Sequence, residues 1–129
     1  MRIVSTDHKV IGLQYLGLSL AFLVIGGVLS MLIRWELKDP QATFSPDFYN
    51  RLFTMHGTIM IFFAITPIAI GAFGNYAIPL HIGARDMAFP TLNMLSVWVF
   101  FVAGVLNLLS FFVEGGAAAS GWTAYPPLS

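Results

Sequence analysis

The segment Thr54-Met55-His56-Gly57-Thr58 sets a single imidazole inside the most hydrophobic long stretch of the chain, from about residue 52 to 80. Ionisable side chains within an apolar span are costly, so those that occur usually face protein, cofactor or water. Neutral histidine is also the commonest side-chain metal ligand. Gly57 removes the side chain beside the imidazole and would let a flat macrocycle approach. A low-spin heme takes one axial ligand on each face, so His56 alone fills half of that coordination. The alternative for His56 is a packing hydrogen bond to a neighbouring helix.

Other polar residues form small groups. Arg34 stands at the end of the first apolar stretch, with Ser30 one turn earlier on the same face. Guanidinium and hydroxyl together can donate to a buried carbonyl or carboxylate, whereas an arginine at a helix end commonly snorkels to the membrane surface. Glu36 and Asp39 suit either solvated partners for Arg34 and Lys38 or oxygen ligands for a hard cation. Asn75, Asp86 and Asn93 flank the connection between the second and third stretches. A carboxylate followed by two amides can collect a proton and order water inward, and the same residue types cap helices and shape turns. Trp122 and Tyr125, in the tail, suit an interfacial aromatic belt, or in the case of Trp122 an indole N–H aimed at a heme propionate.

These groups need elements to hold them, and composition names the class. The chain is 57% hydrophobic and 9% charged, against roughly 25% charged in soluble domains. An all-α transmembrane protein follows, with three apolar stretches at about 11–33, 52–80 and 94–113 and an interfacial tail at 114–129. Each stretch is near the ~20 residues that span a bilayer as a helix. Pro67, Gly71 and Gly74 predict a bent or loosened second helix. The first stretch is too long for a signal-peptide core and is expected to remain as a helix. With no cysteine, disulfides and thiolate metal sites are excluded. Zero net charge gives no basic surface for nucleic acid. Basic residues divide equally between the two sides, Arg2, Lys9 and Arg85 against Arg34, Lys38 and Arg51, so the positive-inside rule does not orient the chain.

Taken in order, six blocks resemble the N-terminal part of subunit I of the heme-copper terminal oxidases, of the cytochrome c oxidase type. They are Thr6-Asp7-His8-Lys9-Val10-Ile11-Gly12, Tyr49-Asn50, Thr54-Met55-His56-Gly57-Thr58, Phe73-Gly74-Asn75-Tyr76, the run Ile82-Gly83-Ala84-Arg85-Asp86-Met87-Ala88-Phe89-Pro90, and Gly121-Trp122-Thr123-Ala124-Tyr125-Pro126-Pro127-Leu128. The resemblance implies the first three helices of a twelve-helix bundle. It implies His56 as one axial ligand of a low-spin heme, of the A type, with Arg34 and Ser30 at its formyl edge and Trp122 near its propionates. Asp86, Asn75 and Asn93 would form the mouth of a proton pathway, and Glu36 a peripheral cation site.

The resemblance further implies oxygen reduction to water coupled to proton pumping, with electrons from cytochrome c or a quinol. Expected partners are the remainder of subunit I, subunits II and III, and membrane lipid, without nucleic acid. The expected location is the bacterial plasma membrane, or else the mitochondrial inner membrane, with the N-terminus on the cytoplasmic or matrix side. High-spin heme and copper would come with the rest of subunit I. His8 and His81, placed in terminal or loop positions, do not make a copper site with His56, so the chain is not expected to reduce oxygen alone. A quinol oxidase of the same superfamily and a non-catalytic three-helix fragment serving assembly or heme holding are the alternatives. Thr91 stands where the family carries Arg after the Phe-Pro pair, and Gln41 lies in a variable loop; the first touches the proton pathway and the second the cation site.

Overall fold

A computed structural model describes residues 4–38, 40–41 and 43–127, so Arg2, Asp39 and Leu128 lie outside the described residues. The regular elements among them are all helical, without strands. Three helices are long and apolar enough to cross a membrane: His8–Leu37, Pro46–Ile82 and Pro90–Phe112. Each starts earlier than the apolar stretches at 11, 52 and 94, because caps rather than lipid set the first turn. The Asp7 carboxylate accepts from the Lys9 amide at 2.8 Å, and the Ser45 hydroxyl from the Phe48 amide at 3.3 Å. Pro46 and Pro90 open the second and third helices, where a missing N–H costs nothing. Phe89 is the cap residue of the third helix, so Asn93 lies inside its first turn rather than at the cap.

The second helix changes its winding along its length. Pro46–Thr58 and Asn75–Ile82 are α-helical, while Ile59–Ile65 and Pro67–Gly74 wind as π-helix. Pro67 has no N–H, and its ring excludes a normal approach to the carbonyl four residues earlier. The wider turn, seen in the Thr66 amide bonding back to the Ile61 carbonyl, accommodates that fault. Gly83 ends the helix at φ +69°, a left-handed conformation that glycine adopts without penalty.

The first helix packs along the second and also touches the third. Phe22, Leu29, Leu52, Met55, Ile59 and Ala117 form the core. The Phe22 ring lies 5.1 Å from that of Phe63 and 6.1 Å from that of Phe100, and fills the space where Gly104 lacks a side chain. Val24, Ile70 and Phe112 point outward, as hydrocarbon or further helices require.

The tail is more than an interfacial strap. The Gly121 amide donates to the Thr54 hydroxyl at 2.9 Å, and that hydroxyl donates to the Asn50 carbonyl at 2.6 Å. The Arg51 guanidinium, paired with Asp47 at 2.5 Å, lies against Gly116. These ties bring Ala117 into the core and Trp122 onto the second helix, because the open end of Thr54 supplies a polar anchor in an otherwise apolar wall.

Candidate functional site

His56 is half-buried, and its Nδ1 lies 2.9 Å from the Gly26 carbonyl of the first helix. A carbonyl only accepts, so Nδ1 carries the hydrogen. In the neutral ring, the lone pair is then on Nε2, which has no protein partner among the described residues. Second-sphere bonds of this kind fix tautomer and ring orientation in metal-ligating histidines. Gly26 is needed for the approach: a methyl there would stand 2.6 Å from Met60 Sδ and 3.4 Å from Ile59 Cγ2. The space at Gly57 is taken by the Trp122 indole, whose Cδ1 lies 3.0 Å from where a Cβ would be. Trp122 also meets Phe62 edge-on at 6.0 Å. The missing side chain at 57 therefore seats an aromatic ring of the protein itself, and Trp122 is brought to the neighbour of His56.

Gly26, Ser30 and Arg34 follow at four-residue steps on one stripe of the first helix. Ser30 donates to the Gly27 carbonyl at 3.0 Å, so its proton is committed to its own helix rather than held out as a donor. In an apolar surrounding, that back-bond is the nearest available acceptor. Arg34 is exposed and makes no ion pair among the described residues. Glu36 clamps the following loop: its carboxylate accepts from the Thr43 amide at 3.1 Å and from Phe44 at 3.0 Å. Among the described residues, no three His, Asp or Glu side chains converge on a point.

A second polar cluster lies at the other end. Asn93 Nδ2 donates to Asn75 Oδ1 at 2.5 Å, and Asn75 Nδ2 donates to the Gly71 carbonyl at 2.7 Å. Tyr15 and Ser96 belong to the same group: Tyr15 donates to Ser96 at 2.8 Å, and Ser96 to the Asn93 carbonyl at 2.6 Å. These four side chains line a groove of about 640 Å³ that Met87 also borders. Asp86 is half-buried in the loop beside it, its carboxylate accepting from the Met87 amide at 2.9 Å. The asparagines thus meet directly, while Asp86 reaches the groove only through its chain neighbour Met87.

His8 and His81 lie elsewhere than in terminal or loop positions. His81 is exposed in the last helical turn of the second span. His8 is buried at 3% exposure in the first turn of the first helix, where Nδ1 meets the Asn75 carbonyl at 2.8 Å; the Asp7 cap starts the helix early enough to include it. Sequence reasoning passed over Tyr15 and Ser96, which sit in apolar runs and look like packing. The i, i+3 spacing of Asn93 and Ser96 was the available signal.

The family model for cytochrome c and quinol oxidase polypeptide I matches residues 10–129. Cytochrome c oxidase subunit 1 of Thermostichus vulcanus is 55% identical over 126 residues, 97% of this chain and 22% of that protein. The Synechocystis protein of the same description is 53% identical over 124 residues, covering 95% of this chain and 22% of its own length. A heme-copper oxidase subunit I+III of Aeropyrum pernix is 49% identical over 128 residues, 98% of this chain and 16% of that relative. The chain thus spans about a fifth of the length of the curated relatives it matches.

Proposed function

The chain belongs to the cytochrome c and quinol oxidase polypeptide I family, and from that premise we propose that His56 is one axial ligand of a low-spin heme. The observation that supports this reading is the bond from His56 Nδ1 to the Gly26 carbonyl at 2.9 Å, which leaves Nε2 the free nitrogen. The residues present fit the group: a neutral imidazole, a fixed tautomer and an aromatic neighbour in Trp122. When bound, the heme supplies reversible electron transfer at its iron. Arg34 is the cation available to the heme's polar edge, and Trp122 the indole available to its propionates. The second axial ligand, the high-spin heme and copper belong to the rest of subunit I, and the chain works only with that remainder and with subunits II and III.

On this reading the heme is of the A type, oxygen is reduced to water, and the electron donor is cytochrome c. Protons enter past Asp86. The Asn75–Asn93 pair and the groove beside it support that route, since amides that both donate and accept can order a line of water. The N-terminus and Asp86 then face the cytoplasm, in a bacterial plasma membrane. The decisive experiment is the optical and magnetic spectrum of the assembled oxidase carrying His56→Ala. Loss of the low-spin, bis-imidazole signal is expected, and an intact signal would remove His56 from the ligand set.

A further inference from the structure

We propose that His8 is the positioning residue of the asparagine pair, its Nδ1–H standing in for the backbone hydrogen that Pro79 lacks. In an α-helix the carbonyl of residue 75 takes its hydrogen bond from the amide of residue 79. Here that residue is a proline inside the helix Asn75–Ile82, and proline has no N–H. Pro79 is fully buried and Asn75 is 6% exposed, so water does not readily replace the missing donor. The Asn75 carbonyl would be a buried acceptor without a partner, an arrangement that folded proteins avoid.

His8 fills the gap from another helix, 67 residues away, at 2.8 Å. Since the acceptor is a carbonyl, the donor must be Nδ1–H. Every other polar atom of residue 75 is also engaged. Its amide bonds to the Ala72 carbonyl, Nδ2 to the Gly71 carbonyl, and Oδ1 receives Asn93 Nδ2. Without that donor the backbone at 75 must shift to satisfy its carbonyl, and a shift of that backbone displaces the side chain that holds Asn93. His8 thus acts on the pathway through Asn75, an inference that rests on the proton-uptake reading of that pair.

The test uses the assembled oxidase containing this chain, with its asparagine carbonyl carbons labelled for isotope-edited infrared spectroscopy. His8→Phe keeps a ring and removes the donor. His8→Asn keeps an N–H at the position of Nδ1. Pro79→Ala restores a backbone donor to the Asn75 carbonyl. In His8→Phe, one asparagine carbonyl band should move to the higher frequency of an unbonded carbonyl, and proton uptake should slow by about tenfold, the factor that one unpaired buried acceptor represents. Both changes should reverse in His8→Asn and in the double variant His8→Phe with Pro79→Ala. An unmoved band in His8→Phe overturns the hydrogen bond. A moved band with unchanged proton uptake, or a slow rate that Pro79→Ala fails to rescue while the band returns, overturns the positioning role. Unchanged proton uptake in a parallel Asp86→Asn variant would overturn the pathway reading beneath it, and the band would still decide the bond.

Discussion

A methyl group added at Gly71 tests whether Tyr15 and the asparagine pair work as one network. The Cβ of Gly71→Ala would stand 2.6 Å from Tyr15 Cδ1 and 2.7 Å from Cγ, where carbon atoms pack at about 3.5–4.0 Å. The ring must therefore move by about 1 Å. It cannot swing freely, because the Phe100 ring packs against it at a tilt, centroids 5.4 Å apart. Overpacking of this kind costs typically about 1–3 kcal/mol, and the bond from Tyr15 to Ser96, 2.8 Å long, would add about 1 kcal/mol when broken. Alanine returns about 0.8–1.0 kcal/mol through its helix preference over glycine. The net expectation is a loss of about 2 kcal/mol. The hydrogen-bond part alone lowers the population of the intact network by roughly fivefold. Thermal unfolding of the assembled oxidase measures the first effect, and stopped-flow proton uptake with a pH dye measures the second. The spectrum attributed to His56 should be unchanged, since that site is at the other end of the helix. Unaltered unfolding and unaltered proton uptake together would refute the argument.

Other substitutions separate the parts of the molecule. Asp86→Asn should slow proton-coupled turnover by tenfold or more (roughly 1.4 kcal/mol) with the hemes still present; normal turnover and pumping would remove Asp86 from the route. Gly104→Ala places a methyl within the Phe22 ring, which Phe63 and Phe100 hold in place. A loss of about 2–3 kcal/mol in stability is expected by thermal unfolding, and an unchanged midpoint would count against the packing. Thr54→Val removes the acceptor of the Gly121 amide and should release the tail at a cost of about 1 kcal/mol. Faster proteolysis between residues 113 and 127 would report it, and equal rates would show that Thr54 is not the anchor.

Much of the plan could be read in advance, for identifiable reasons. The apolar stretches were visible because hydrocarbon demands about 20 apolar residues, yet the helices start earlier because the Asp7 and Ser45 side chains cap the first two and Pro90 opens the third. His56 drew notice as a costly polar group in such a stretch. Its Gly26 partner was invisible, since any carbonyl of any helix is a potential acceptor. Asn75 and Asn93 stood out by type, whereas Tyr15 and Ser96 are common in apolar runs and carry no local mark. Gly57 suggested open space beside the imidazole; only the course of the tail brings Trp122 into it. His8 was misplaced because the need for it arises at Pro79, and no local pattern joins residues 71 positions apart.

The π winding between Ile59 and Gly74 lies between His56 and Asn75, so it works as a phase shifter along one continuous rod. A π turn takes up one residue more than an α turn, and each residue in it advances the helix by a smaller angle. The compass bearing of Asn75 relative to His56 is therefore set by how much of the intervening chain is overfilled. A change that restored regular α winding there would leave both side chains on the same helix, yet rotate one away from its neighbour. Two sites that share no contact would then be kept in register by the irregularity between them.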